Sequence, residues 1–204
     1  TGTNGKTTTT SLLAGILRHA GVPTGLIGTL TGTRTTPEAP DLQARLAEFV
    51  REGVGAVVME VSSHALALHR VAGAHFDIGV FTNLGRDHLD LHGTVERYFA
   101  AKAMLFDPML TDRGVANVDD RHGRLLVDAA PVPMTGFGED DLTDLEVGAT
   151  RHAYTWRSVR IEVGLGGAFN AMNSLGAATA AAELGVEPEV IARGLASAGA
   201  VPGR

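Results

Sequence analysis

Apolar residues recur along this chain with two periods, and the way the periods alternate predicts its elements. Leu12, Leu13, Ile16 and Leu17 fall at helical spacing up to His19-Ala20, and Gly21 with Pro23 ends that helix. Gly25-Leu26-Ile27-Gly28-Thr29 reads as a short buried strand, followed by a turn-rich loop over residues 31–40 in which Pro37 and Pro40 forbid regular pairing. Asp41 is expected to cap a helix that carries Leu42, Leu46, Phe49 and Val50 on one face and closes at Gly53 and Gly55. Ala56-Val57-Val58-Met59 is a continuous apolar run ending in Glu60, as in a central parallel strand buried on both faces. A second such strand is expected at residues 78–82, a helix from Thr94 to about Phe106, and weaker strands and short helices to about Pro133.

Strand followed by helix, repeated, means a parallel sheet with right-handed crossovers. Residues 136–167 are less regular. There the alternation Val159-Arg160-Ile161-Glu162-Val163 predicts an antiparallel edge strand or hairpin. From Ala168 the Ala-rich segment FNAMNSLGAATAAAEL reads as a closely packed helix ended by Gly185, with another helix from Pro188 to Ala196. No internal repeat or low-complexity linker divides the chain, so a single α/β domain over residues 1–204 is the economical expectation.

Composition narrows the function classes. With 204 residues, 44% hydrophobic and 20% charged, the chain can bury one good core. A net charge of −6 and a pI near 5.7 argue against nucleic acid as a bulk electrostatic partner, so an anionic ligand must be held by local groups. The absence of cysteine removes disulfides and thiolate metal sites, and fits a reducing, cytoplasmic setting. No apolar run approaches the roughly 20 residues of a membrane span, so no membrane partner is expected.

The first ten residues, TGTNGKTTTT, change the picture most. Gly-x-x-Gly-Lys-Thr at a helix start offers backbone N–H groups, one ammonium and one hydroxyl to a polyphosphate. Lys6 is placed to reach β- and γ-phosphates and Thr7 to hold Mg²⁺, with the helix dipole adding to the attraction. The fold class is therefore read as α/β, P-loop NTPase-like: a mostly parallel sheet flanked by helices with a small antiparallel addition. A chain that begins inside such a loop reads as an excised segment, its feeding strand lying before residue 1.

Three further constellations carry candidate chemistry. Glu60 ends an apolar strand, where a P-loop enzyme places an acid near Mg²⁺. Behind it Ser62, Ser63 and His64 add hydroxyls and an imidazole, but a serine hydrolase is disfavoured because no G-x-S-x-G elbow is present. The loop TNLGRDHLDLHG, residues 82–93, crowds Arg86, Asp87, His88, Asp90 and His92. His88 and His92 would share a helix face and could bind Zn²⁺, although Gly93 limits such a helix and the phosphate loop favours Mg²⁺ with mainly oxygen ligands. In the helix after Thr94, Lys102 falls on the apolar face with Val95, Tyr98, Phe99, Leu105 and Phe106. That position suits either a snorkelling lysine or a buried amine whose ammonium form is disfavoured and which can add CO₂ to become a carbamate.

The ordered blocks GTNGKTTTT, TTPEAPDLQ, MEVSSHALALHRV, FTNLGRDHLDLHG, YFAAKAMLF, FNAMNSLGAA and VPGR resemble the central ATPase domain of the Mur ligases from the first residue to the last. TTPEAP and EVSSHAL together are similar to the MurE-type branch, which adds the third residue of the peptidoglycan stem peptide. The resemblance implies an ATP-dependent amide ligase with Mg²⁺ as cofactor and ATP as co-substrate. ATP would meet Gly2, Thr3, Asn4, Gly5, Lys6, Thr7 and Thr8 of the loop, with Asn173 and Arg204 on the adenine and ribose side. Thr7, Glu60, His88 and a carbamylated Lys102 are implied as the metal set, and Lys6, Lys102 and His88 as the groups serving the reaction. Thr35, Thr36, Ser62 and Arg70 match positions that hold UDP-MurNAc-dipeptide, and the second substrate is a diamino acid.

The chain departs from the pattern at two places: Leu68 stands where some relatives carry a glutamine contact, and Gly85 where serine is usual. A monomer is expected. The resemblance implies that the family's N-terminal uridine-binding and C-terminal amino-acid-binding domains are expected to lie outside this sequence. The rival readings are a folylpolyglutamate synthase-like ligase, whose loop usually reads GTNGKGS, and a non-catalytic nucleotide-binding module.

Overall fold

The computed structural model describes residues 1–198. Helix α1 (Lys6–His19) leaves the phosphate loop at Gly5, whose φ of 87° is in the left-handed region that glycine tolerates. Strand β1 (Thr24–Ile27) pairs in parallel with β2 (Ala56–Met59) in the register Leu26 to Val58, the crossover being α2 (Ala39–Arg51). After α3 (Ser63–Ala67) the chain enters a second parallel sheet. Its order is β3 (Gly79–Phe81), β4 (Gly114–Asn117), β5 (Met134–Phe137). Helices α4 (Leu89–His92) and α5 (Val95–Ala103) lie between β3 and β4, and α6 (Arg121–Ala129) between β4 and β5. An antiparallel sheet follows, β6 (Thr143–Val147), β7 (His152–Trp156) and β8 (Val159–Val163), then α7 (Ala168–Glu183) and α8 (Pro188–Ser197).

Successive residues of the parallel strands face opposite sides, and each side is covered by its own helices. Val58 and Val115 join Leu12, Ile16, Leu175, Ala178 and Ile191 in a core beneath α1, α7 and α8. Phe81 and Ala116 join Leu42, Phe49, Leu66, Leu105 and Phe106 in a core on the other side. The α/β architecture is as expected, and among the described residues the parallel strands fall in two ladders, β1–β2 and β3–β4–β5.

Several local expectations are corrected. Helix α2 starts at Ala39 with Glu38 as its N-cap, so Asp41 sits in the first turn; Pro40 is tolerated there because an N1 or N2 residue needs no helical N–H partner. Val50, placed by spacing on the apolar face, is 77% exposed, while Leu42 and Phe49 are buried. The expected helix over 94–106 is α5 with Thr94 as its side-chain cap, tightening to a 3₁₀ turn over Met104–Phe106.

Candidate functional site

The phosphate loop is tied to the carboxyl end of β3 by a short ladder. Val80 O accepts from the Thr1 amino group at 2.6 Å, Thr82 N donates to Thr1 O at 3.0 Å, and Thr3 N donates to Asn83 O at 2.9 Å. Asn83 Oδ1 also accepts from Asn4 N at 2.9 Å. The loop is thus held by backbone, which fixes where its remaining N–H groups point.

On the other side the loop meets β2 through Thr7, whose hydroxyl donates to Glu60 Oε2 at 3.0 Å. Glu60 is 2% exposed, and its second oxygen accepts from Thr29 N at 2.8 Å. Gly28 makes this possible: a Cβ there would stand 2.4 Å from Glu60 Oε1. The Thr7 hydroxyl spends its proton on the carboxylate and keeps its lone pairs, so Thr7 and Glu60 form an adjacent pair of hard oxygen donors suited to a cation such as Mg²⁺.

Two lysines converge on one carbonyl. Lys6 Nζ donates to Gly2 O at 2.9 Å and Thr3 O at 3.0 Å, and Lys102 Nζ donates to the same Gly2 O at 2.8 Å. Lys102 is 1% exposed, which resolves the choice between a snorkelling and a buried lysine in favour of burial. Desolvation, then the charge of Lys6, lowers its pKa from 10.5 to about 7, opposed by Asp87. Its Nζ also lies 4.4 Å over the Tyr98 ring.

His88 stands beside this group, its ring 5.9 Å from Tyr98 and 4.8 Å from His64. Its φ of 52° puts it outside α4, which comprises a single turn. His92 lies on the same side, its ring 5.1 Å from Tyr98 and 5.8 Å from His64, with Nε2 3.0 Å from Ser63 Oγ. Because His88 stands outside α4 the two do not share a helix face, and among the described residues no cluster of three His, Asp or Glu is arranged for a metal. Of the four implied metal groups, Thr7 and Glu60 are joined directly, Lys102 adjoins Lys6, and His88 adjoins Tyr98 beneath Lys102.

The residues implied in substrate contact form a second group at the same sheet edge. Thr36 is buried, its hydroxyl donating to Glu60 O at 2.8 Å and accepting from Ser62 N at 3.1 Å. Ser62 Oγ caps α3 by accepting from Ala65 N, so both hydroxyls brace the strand end. Thr35 is linked to Thr29 through their hydroxyls at 3.1 Å. Arg70 pairs with Glu38 at 2.9 Å while its buried Nε has no hydrogen-bond partner. An unmatched guanidinium donor invites a planar oxyanion.

A cleft of about 500 Å³ opens on the far side of the loop, between Asn4, Asn83 and Asn117 on one wall and Phe169, Asn170 and Asn173 on the other. Gly5 lies close to Asn173: a Cβ there would stand 2.2 Å from Asn173 Oδ1. Amide side chains and an exposed aromatic ring are the means of holding a heterocyclic base. Asn83, Asn117 and Asn170 were not foreseen, and only their clustering in space marks them; Arg204 lies outside the described residues. None of the described helices is long and apolar enough to cross a membrane.

The sequence matches the Mur ligase middle domain over residues 1–181. It is similar over its whole length to the UDP-N-acetylmuramoyl-L-alanyl-D-glutamate--2,6-diaminopimelate ligases of Corynebacterium glutamicum (46% identical, 44% of that protein) and Streptomyces avermitilis (43% identical, 44% of that protein). A solved structure of a ligase of the same name superposes over all of this chain and 46% of its own, with a TM-score of 0.88 at 30% identity. The chain thus spans a little under half the length of the curated relatives it matches. This chain belongs to the Mur ligase family, and the part of the family that it matches is the middle domain.

Proposed function

We propose that this chain is the central, ATP-binding domain of a three-domain MurE-type ligase acting in the cytoplasm on peptidoglycan precursors. The observation that carries the reading is the meeting of Lys6 and the buried Lys102 at Gly2 O of the phosphate loop, next to the buried Thr7–Glu60 oxygen pair. That is a site for a polyphosphate whose terminal group is to be transferred. The names of the similar proteins support the substrates: UDP-MurNAc-L-Ala-D-Glu and a diamino acid.

In this reading a D-Glu carboxylate oxygen attacks the γ-phosphorus of ATP, ADP leaves, and an acyl phosphate forms. The amine of the diamino acid then attacks the acyl carbon, inorganic phosphate leaves, and the amide remains. Loop N–H groups and Lys6 hold the phosphates and offset charge as it shifts. Asn173 and its neighbours hold the base. Arg70 orients the dipeptide through its open Nε, with Thr35, Thr36 and Ser62 fixing the surface beside it.

Mg²⁺, when bound, supplies charge neutralisation on the transferring phosphoryl group, and Thr7 and Glu60 are its first candidate ligands, with His88 and Lys102 completing the set. A pKa of about 7 leaves much of the Lys102 amine neutral near neutral pH. The neutral nitrogen would add to CO₂, forming the N–C bond as one N–H proton passes to solvent, and the carbamate would provide an anionic oxygen donor beside Lys6.

The test is ADP formation by the full-length enzyme, offered each co-substrate alone and both together. ADP release only when UDP-MurNAc-dipeptide and diamino acid are both present is expected. Release driven by a folate and glutamate, or ATP binding with no substrate-dependent release, overturns the proposal.

A further inference from the structure

We propose that Tyr98 is a positioning residue: its hydroxyl, through Thr3 and Gly85, sets the register between the phosphate loop, the loop over residues 82–93 and helix α5. This deepens the proposed function and rests on it only for its kinetic consequences. Three parts of the site belong to three separate segments, and the Tyr98 side chain links them. The Tyr98 hydroxyl lies 3.1 Å from Thr3 Oγ1, and Thr3 Oγ1 also accepts from Gly85 N at 2.8 Å. The carbonyl of Thr3 accepts from Lys6. Four residues on along the same helix face, Lys102 sits over the Tyr98 ring. The rings of His88 and His92 approach it at 5.9 and 5.1 Å.

Packing alone does not account for the hydroxyl. Tyr98 is fully buried, and a phenylalanine would fill the same space without stranding a polar atom. Burial raises the phenol's pKa, so the group stays neutral and keeps its proton for hydrogen bonding. The Thr3 hydroxyl, accepting from Gly85 through one lone pair, keeps its own proton and a second lone pair, so it can meet Tyr98 as donor or acceptor. The chain Tyr98–Thr3–Gly85 thus ties the nucleotide loop to α5 on one side and to the histidine-bearing loop on the other. It runs beside the Lys102–Gly2 O hydrogen bond, the other link between α5 and the loop that carries Lys6.

Tyr98→Phe and Thr3→Val each remove one end of the link while keeping shape, and Thr3→Ser keeps the hydroxyl. In the chain itself, Tyr98→Phe is expected to speed amide hydrogen exchange at Gly85 about tenfold, the loss of one hydrogen bond's worth of anchoring. In the full-length enzyme, Tyr98→Phe is expected to lower kcat about tenfold while the KM for ATP stays within about twofold. Thr3→Val is expected to speed Gly85 exchange further, since it also removes that amide's own acceptor, the double variant to add nothing beyond Thr3→Val, and Thr3→Ser to bring Gly85 exchange back towards the wild type. Unchanged Gly85 exchange in Tyr98→Phe overturns the proposal, as do effects that multiply in the double variant. If the wild-type enzyme shows no turnover with the stated substrates, the proposed function fails, and the exchange measurement alone decides the role of Tyr98.

Discussion

Replacing Lys102 by methionine isolates the cost of burying its ammonium group. Methionine keeps the length of the side chain and removes the charge, so packing against Tyr98 is retained. The fall in pKa from 10.5 to about 7 corresponds to about 5 kcal/mol at 1.36 kcal/mol per pKa unit. The sign follows from linkage. Between those two values the unfolded chain holds a proton that the folded chain has released, so stability rises with pH across the window. The penalty is absent above the unfolded pKa and complete at and below about pH 7. In CO₂-free buffer Lys102→Met is therefore expected to exceed the wild type in stability near pH 7, with about 5 kcal/mol as the ceiling, the advantage shrinking by about 1.4 kcal/mol per pH unit towards pH 10. Urea titrations followed by the fluorescence of Trp156, the single tryptophan and 5% exposed, provide the measurement. Parallel stability curves for the two proteins across that range would refute the buried-ammonium reasoning. Adding bicarbonate to the wild type then asks whether carbamate formation relieves the same penalty.

Two other outcomes follow from the geometry. His152 is buried with Nδ1 2.6 Å from Leu165 O and Nε2 2.9 Å from Ser174 Oγ, and desolvation lowers its pKa. The stability it contributes is whole above its unfolded value of 6.5 and is lost as pH falls below it; His152→Asn should flatten the acid limb of Tm against pH below that value. Gly28→Ala places a Cβ 2.4 Å from Glu60 Oε1, and the buried carboxylate has little room to retreat. A loss of about 1–3 kcal/mol and at least tenfold weaker Mg²⁺-dependent binding of an ATP analogue are expected, by thermal unfolding and calorimetry; unchanged binding would separate Gly28 from the placement of Glu60.

What could be read before the structure was whatever depends on local periodicity. Leu12, Leu13, Ile16 and Leu17 line the buried face of α1 as their spacing required, and the alternation at 159–163 is the last strand of the antiparallel sheet. Lys102 was placed on the apolar side of α5 by the same count. Its approach to Gly2 O was not legible, since it joins residues 100 positions apart. Nor was the use of Tyr98, whose spacing fits a core residue equally well. The turn chemistry before α2 misled because Asp41 and Glu38 are both credible caps; Pro40 decides, being favoured in the first turn. Val50 shows the limit of a one-face count: on a helix covered on one side only, residues at the margin of the apolar arc face water.

The bonding of the phosphate loop has a dynamic consequence. The loop is joined to the carboxyl end of β3 and the residues after it through Thr1, Thr3 and Asn4, and to the end of β2 through Thr7. A ligand seated there would act as a rivet between the two strand ends, quieting amides in both segments beyond the reach of any phosphate oxygen, which hydrogen exchange with and without an ATP analogue would register.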